Sequence, residues 1–176
     1  MDPPALLKEM ARHMAEALDV TSTYITSFDL QVMSMKVVAE YWGKESAPAE
    51  LKSDLGRDYP SAEYATVLKA MMEGRTLVIH AGQPNLTSEE YQQFVDYHIE
   101  TMMFVPIYSR GRLLGTVELW ESRKRREFSQ AEIRLATLIS DVQDQERRAG
   151  AALAGQRQQR RGVHVPDLAI HAHGLV

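Results

Sequence analysis

The stretch from Met102 to Glu121, MMFVPIYSRGRLLGTVELWE, constrains the fold more than any other part of the chain. It reads as two apolar strands, Met102–Tyr108 and Arg112–Glu121, reversed by the short polar turn Ser109-Arg110-Gly111. β-Branched and aromatic side chains favour extended backbone, and Gly111 supplies the conformational freedom that the reversal requires. Side chains alternate along a strand, so Val117 and Leu119 face one way and Thr116, Glu118 and Trp120 the other. The first face suits packing against helices. The second carries a hydroxyl, a carboxylate and an indole beside apolar neighbours. A carboxylate is rarely buried without a partner, so this face suits the floor of a small-molecule pocket. The competing reading is a face covered by helices, with Glu118 reaching solvent.

The rest of the chain supplies elements to pack around this hairpin. Asp2-Pro3-Pro4 is a helix start, and Leu7, Met10, Met14, Ala17 and Leu18 follow at helical spacing, predicting an amphipathic helix over Pro3–Leu18. Thr21–Phe28 and Met35–Trp42 read as strands joined by a hairpin connection at Asp29–Ser34. Gly43 to Tyr59 has no clean period and is predicted to be a long loop with at most a turn of helix, a feature usually tied to function. Pro60 is expected to open a helix reaching about Glu73 and stopped by Gly74. A short strand at Thr76–His80 and a turn at Ala81–Leu86 follow. Thr87-Ser88-Glu89-Glu90 is then a capping box opening a helix to about Glu100. A second capping box, Ser129-Gln130-Ala131-Glu132, opens a helix with Leu135, Leu138, Ile139 and Val142 on one stripe. Two copies of its continuation could pair along Val142, Ala149, Ala152 and Leu153. The tail from Gly162 to Val176 has no period.

A chain of 176 residues with 44% apolar and 25% charged side chains is expected to form one globular domain, placed at 3–145, followed by an extension at 146–176. The net charge of −4 gives no general attraction to nucleic acid or anionic lipid. With no cysteine there can be no disulfide, thiolate nucleophile, thiolate metal ligand or thioether-attached chromophore. Asp2, Glu9, Glu16 and Asp19 do not suit a signal peptide, and no apolar run approaches the roughly 20 residues that span a bilayer. A cytoplasmic location, without membrane or nucleic-acid partners, is the expectation.

Candidate chemistry elsewhere is sparse. His80, His98 and the His171/His173 pair lack partners at metal-ligand spacing. Ser61 and Asp58 sit in no nucleophile signature, and Gly82-Gln83-Pro84 is no phosphate cradle. The Arg123-Lys124-Arg125-Arg126 run, set between Glu121 and Glu127, reads as a charged connector. No catalytic residue and no metal site are expected.

Taken in order, several short segments resemble the GAF domain, a sensory relative of the PAS fold. They are Ser27-Phe28-Asp29, Val37-Val38-Ala39-Glu40, Gly56-Arg57-Asp58-Tyr59-Pro60, Gly74-Arg75-Thr76-Leu77-Val78-Ile79, Val105-Pro106-Ile107, Leu114-Gly115-Thr116-Val117-Glu118-Leu119 and Phe128-Ser129. The resemblance spans roughly Leu6 to Gln145. It implies an α/β (α+β) fold with a central antiparallel sheet, the terminal helices on one face and a ligand pocket on the other. The pocket would be closed by the middle helices and loops, which makes Tyr41, Trp42, Tyr59, Tyr64, Tyr97, His98, Thr116, Glu118 and Trp120 the ligand-binding candidates. It implies a non-enzymatic sensor that works as a homodimer and signals through its last helix to an effector domain or partner kinase. The alternative is a GAF dimerisation or scaffold module whose cavity is filled by its own side chains. Against bilin-binding relatives, the Asp-Ile-Pro triplet is replaced by Glu63-Tyr64-Ala65, and no cysteine exists to hold a bilin covalently. The Asn-Lys-Phe-Asp-Glu signature of cyclic-nucleotide-binding relatives is not recognisable. Free methionine sulfoxide reductases of this fold need cysteines. The ligand or cofactor is left unidentified.

Overall fold

The computed structural model describes residues 3–140. In chain order these form α1 (Pro3–Leu18), β1 (Ser22–Asp29), β2 (Ser34–Trp42), a 3-10 turn at Pro48–Leu51, β3 (Asp58–Pro60) and a second 3-10 turn at Ser61–Tyr64. Then come α2 (Ala65–Met72), β4 (Leu77–His80), α3 (Ser88–Tyr97), β5 (Thr101–Ser109) and β6 (Arg112–Glu121). A last helix, α4, is described over 130–140. The expected pairing along Val142 to Leu153, the 146–176 extension and His171/His173 lie outside the described residues.

The six strands make one antiparallel sheet in the order β3-β2-β1-β6-β5-β4. The β5–β6 hairpin turns through Arg110 and Gly111, both at positive φ (52° and 75°), the geometry whose twist matches that of the flanking strands. β6 is central, and Gly115 is where it approaches β1 most tightly. A Cβ there would lie 2.0 Å from the Thr26 carbonyl oxygen, so no other residue fits without moving backbone. Pro106 sits beyond the end of the β4 ladder, which pairs only with Thr101–Phe104, so its missing N–H costs no bond to β4.

Each face of the sheet carries its own core. On one, Met10, Met14 and Leu18 of α1 and Ala136 of α4 pack on Ile25, Val105, Val117, Leu119 and Phe128. On the other, Met71 of α2 and Phe94 and Tyr97 of α3 pack on Tyr24, Met102, Phe104 and Trp120. The alternation expected along β6 is thus realised: Val117 and Leu119 belong to the first core, Trp120 to the second.

Both capping boxes form. In α3 the Thr87 hydroxyl accepts from the Glu90 N–H at 3.1 Å, and Glu90 returns to the Thr87 N–H at 2.9 Å. The other Glu90 carboxylate oxygen accepts from the Val67 N–H at 3.1 Å, so one buried side chain caps α3 and the first turn of α2. Ser129 and Glu132 exchange the same pair of bonds at the start of α4. The basic run is also anchored. Arg126 donates to the Leu18 and Asp19 carbonyls at 2.8 and 2.7 Å, a cation at the α1 C-terminus, and also bonds Glu132.

Two boundaries differ from expectation. Pro60 opens no α-helix directly but caps the 3-10 turn at Ser61–Tyr64, which runs into α2. It ends β3 on the sheet edge opposite Ser34, and α2 begins only at Ala65. α3 stops at Tyr97 because His98 turns left-handed (φ 54°) and the Ile99 N–H returns to the Phe94 carbonyl. That reversal drops Ile99 into the second core and sends Glu100 to the Glu121 carbonyl.

Candidate functional site

The register of β6 with its neighbours lays out the site. Glu118 stands opposite Tyr24 on β1 and Phe104 on β5, Thr116 opposite Thr26 and Pro106, and Trp120 opposite Ser22 and Met102. On this floor lies a cavity walled by Tyr24, Thr26, Glu118, Trp120, Tyr59 and Tyr64, with Asp54, Thr116, Phe104 and Gln93 completing it. The space free to the centre of a water molecule is about 30 Å³, enough for about one or two ordered waters. Tyr59, Tyr64 and Gln93 form a shared wall. On their outer side is an open cleft of about 260 Å³, reaching Lys52, Arg57, Glu89, Asp96 and Tyr97.

Glu118 is the floor's ionisable group. It is 9% exposed and accepts a hydrogen bond from the Thr26 hydroxyl at 2.6 Å. Burial pushes its carboxyl up to about 7, because desolvation disfavours the charged form. The Thr26 hydroxyl and the Trp120 indole pull the other way, and the nearby Asp54 carboxylate adds to the rise. Among the described residues no cationic side chain pairs with Glu118. The Trp120 N–H, though close enough to influence the carboxylate, is buried without hydrogen-bond geometry to any partner. Such a group normally finds an acceptor.

Aromatic rings and one loop hold this floor in place. The Tyr24 and Tyr97 rings pack on Trp120 with centroids 4.2 and 5.1 Å away. The Trp42 indole donates to the Tyr24 hydroxyl at 2.9 Å, and that hydroxyl donates to the Glu50 carbonyl at 3.1 Å. The Tyr97 hydroxyl donates to Asp54, whose second oxygen receives Arg57 at 3.1 Å. Arg57 in turn lies 5.0 Å from the Tyr59 ring centroid. Burial raises the Tyr24, Tyr59 and Tyr97 hydroxyls and pushes Tyr64 up to about 12. All four stay protonated, as donors, at neutral pH.

Five of the nine candidates read from the sequence therefore line the cavity: Tyr59, Tyr64, Thr116, Glu118 and Trp120. Tyr97 lies just outside, on the cleft and against Trp120. Trp42 is one hydrogen bond away, through Tyr24. Tyr41 faces the opposite core. The register of β2 against β1 slips where Ile25 pairs with Ala39 but Thr26 with Val37. Val38 is thus an extra residue, which puts Ala39 and Tyr41 on the α1 side. His98 is the exposed cap of α3, away from the cavity. Asp54, Tyr24, Thr26 and Gln93 were not legible as site residues. Tyr24 and Thr26 carry a signal in the alternation of β1, whereas Asp54 sits in a loop with no period. Among the described residues no group of three or more His, Asp or Glu side chains could hold a metal ion. No described helix is long and apolar enough to cross a membrane.

A curled antiparallel sheet with terminal helices on one face and a cavity under short helices on the other defines a GAF-like α/β architecture. The sequence pattern of the GAF domain family matches residues 2–142, and the chain belongs to that family. Solved structures agree on the fold. The blue-light-absorbing form of the Thermosynechococcus elongatus PixJ GAF domain is 17% identical, with a TM-score of 0.68 over 88% of this chain and 92% of that one. The phycocyanobilin-bound GAF domain of a cyanobacterial phytochrome is 15% identical, with a TM-score of 0.68 over 93% and 90%. A domain assigned to a two-component sensor histidine kinase protein of Sinorhizobium meliloti 1021 is 18% identical, with a TM-score of 0.67 over 90% and 99%. No curated protein sequence matches significantly. GAF domains are regulatory modules, and the chain is one of them. Its lack of cysteine rules out a thioether-bound bilin.

Proposed function

We propose that this chain is a small-molecule-sensing GAF domain that binds its ligand in the cavity over β6 and passes the signal through a homodimeric pair of terminal helices to an effector domain or partner kinase in the cytoplasm. The observation that carries the reading is the floor of that cavity. A carboxylate with no cationic partner and an indole N–H with no acceptor lie side by side, buried, against an open space. A core kept only for stability would gain by replacing both with apolar side chains. Entry would require Tyr59 and Tyr64 to move, since they separate the cavity from the outer cleft. Those residues belong to the β3–α2 segment, so ligand binding there would shift the population of lid packings. On the opposite face α4 turns Leu135 and Leu138 outward, 40% and 60% exposed, which suits a helix pair between two copies. The domain is proposed to extend over 3–145, with 146–176 as the output extension.

The scaffold reading draws on a specific observation of its own: the free space is only about 30 Å³, far below the several hundred of a drug-sized site. A tetrapyrrole would need the whole α2–α3 side to open. Native mass spectrometry of the purified full chain separates the readings. A dimer carrying extra mass that denaturation releases is expected. A dimer without it, and without any ligand-dependent rise in melting temperature, would favour the scaffold. A monomer would end the helix-pair mechanism.

A further inference from the structure

Resting on the sensor reading above, we propose that the cavity takes a small organic ammonium ion, its N–H groups on the Glu118 carboxylate and its alkyl part among Tyr24, Tyr59, Tyr64, Phe104 and Trp120. Four observations point to this ligand class. First, the two carboxylates lining the cavity are not equivalent. Asp54 already holds Arg57 and the Tyr97 hydroxyl, whereas Glu118 holds only the Thr26 hydroxyl. A carboxylate offers about four lone-pair positions, so Glu118 has capacity to spare where it borders the free space. Second, apart from Thr26, Thr116 and Gln93 the rest of the wall is aromatic or apolar, and aromatic rings around a carboxylate suit an organic cation, attracted by the ring quadrupoles as well as the charge. Third, an anionic ligand would meet the Glu118 carboxylate with no cationic side chain beside it, which disfavours that class on Coulomb grounds. Fourth, the Thr26 O–H and the Trp120 N–H partly offset the burial that raises Glu118, and so favour the ionised form that the cation needs. The small free volume limits the ligand to an ammonium head and one or two carbons. A longer polar tail would pass between Tyr59 and Tyr64 into the outer cleft, where Glu63, Glu89 and Asp96 outnumber Lys52 and Arg57.

The test uses the full chain with its tryptophan side chains labelled for nuclear magnetic resonance. Only Trp42 and Trp120 give indole signals, so Trp120 reports on the floor and Trp42, hydrogen-bonded to Tyr24, on the rim. Ethylammonium chloride and neutral ethanol are titrated separately at constant ionic strength. Ethylammonium is expected to move the Trp120 signal saturably, with a Kd of about 1 mM for so small a ligand, while ethanol leaves it in place. Glu118→Gln should weaken the response about tenfold or more. Lowering the pH of the wild type from about 8 to about 6 should weaken it about tenfold without any substitution, which covers the case of a variant that fails to fold. Over that range Tyr24, Tyr59 and Tyr64 keep their protons, Arg57 keeps its charge, and Asp54 remains the only other carboxylate on the wall. Equal responses to ethanol and ethylammonium, or a response that survives Glu118→Gln and acid, would overturn the cationic class while leaving a ligand site standing. No response to either compound, in the wild type or in a Tyr64→Ala variant with a widened mouth, would overturn the ammonium site and the sensor reading together.

Discussion

Replacing Glu118 by glutamine keeps the shape of the cavity floor and removes its capacity to ionise. In the folded chain burial pushes the carboxyl up to about 7 from an ordinary 4.5. The folded state therefore binds more protons than the unfolded state between those values, and the group's contribution to stability is full below 4.5 and lost as the pH rises through 7. The whole shift corresponds to about 3 kcal/mol, of which about 2–3 kcal/mol falls between about pH 5 and about pH 8. Glutamine does not titrate. It can still accept from Thr26, and its buried NH₂ adds a cost that is the same at both pH values. The difference between the variant and the wild type should therefore move by about 2–3 kcal/mol in the variant's favour from about pH 5 to about pH 8. In melting temperature that is about 5–10 °C for a domain of this size. Urea unfolding of both proteins at the two pH values, with equal slopes as the check on two-state behaviour, measures it. If the difference is unchanged, or moves against the variant as the pH rises, then Glu118 is not a carboxyl raised by burial, and the electrostatic account of the floor fails.

Other perturbations address the frame around the site. Gly115→Ala sets a methyl group 2.0 Å from the Thr26 carbonyl and should cost about 3 kcal/mol or more; an unchanged urea midpoint would show that β1 and β6 are not held that close. Glu90→Ala leaves the Thr87 and Val67 N–H groups without their acceptor and should cost about 3 kcal/mol, with amide hydrogen exchange rising first at the starts of α2 and α3. Because Leu135 and Leu138 are exposed, the double substitution to glutamate should change stability by no more than about 0.5 kcal/mol per site. The same variant should convert the proposed dimer to monomer in light-scattering chromatography, and a persistent dimer would place the interface elsewhere.

What the sequence determined by itself was whatever depends on neighbours a few residues apart. The Arg112–Glu121 strand and the Pro3–Leu18 helix have the boundaries their periodicity predicts, and both capping boxes form because their partners are three residues apart. The facing of Thr116, Glu118 and Trp120 follows from the period of a strand, so the floor of the cavity was legible before any tertiary contact was known. The tertiary structure decided what depends on distant partners. β3 is three residues long and exists only because Ser34–Lys36 offers an edge to pair with, so Pro60 ends a strand as well as capping the 3-10 turn, and the α-helix itself starts only at Ala65. Tyr41 and Trp42 are adjacent, and the extra residue at Val38 chooses which of them faces the cavity; no local signal marks that slip. Asp54 enters the site through Tyr97, 43 positions further along the chain. The raised carboxyl of Glu118 is likewise a property of what buries it: Tyr24, Phe104 and the tyrosine wall are brought there by β1, β5 and the β3–α2 connection, and water is excluded only once all of them have packed.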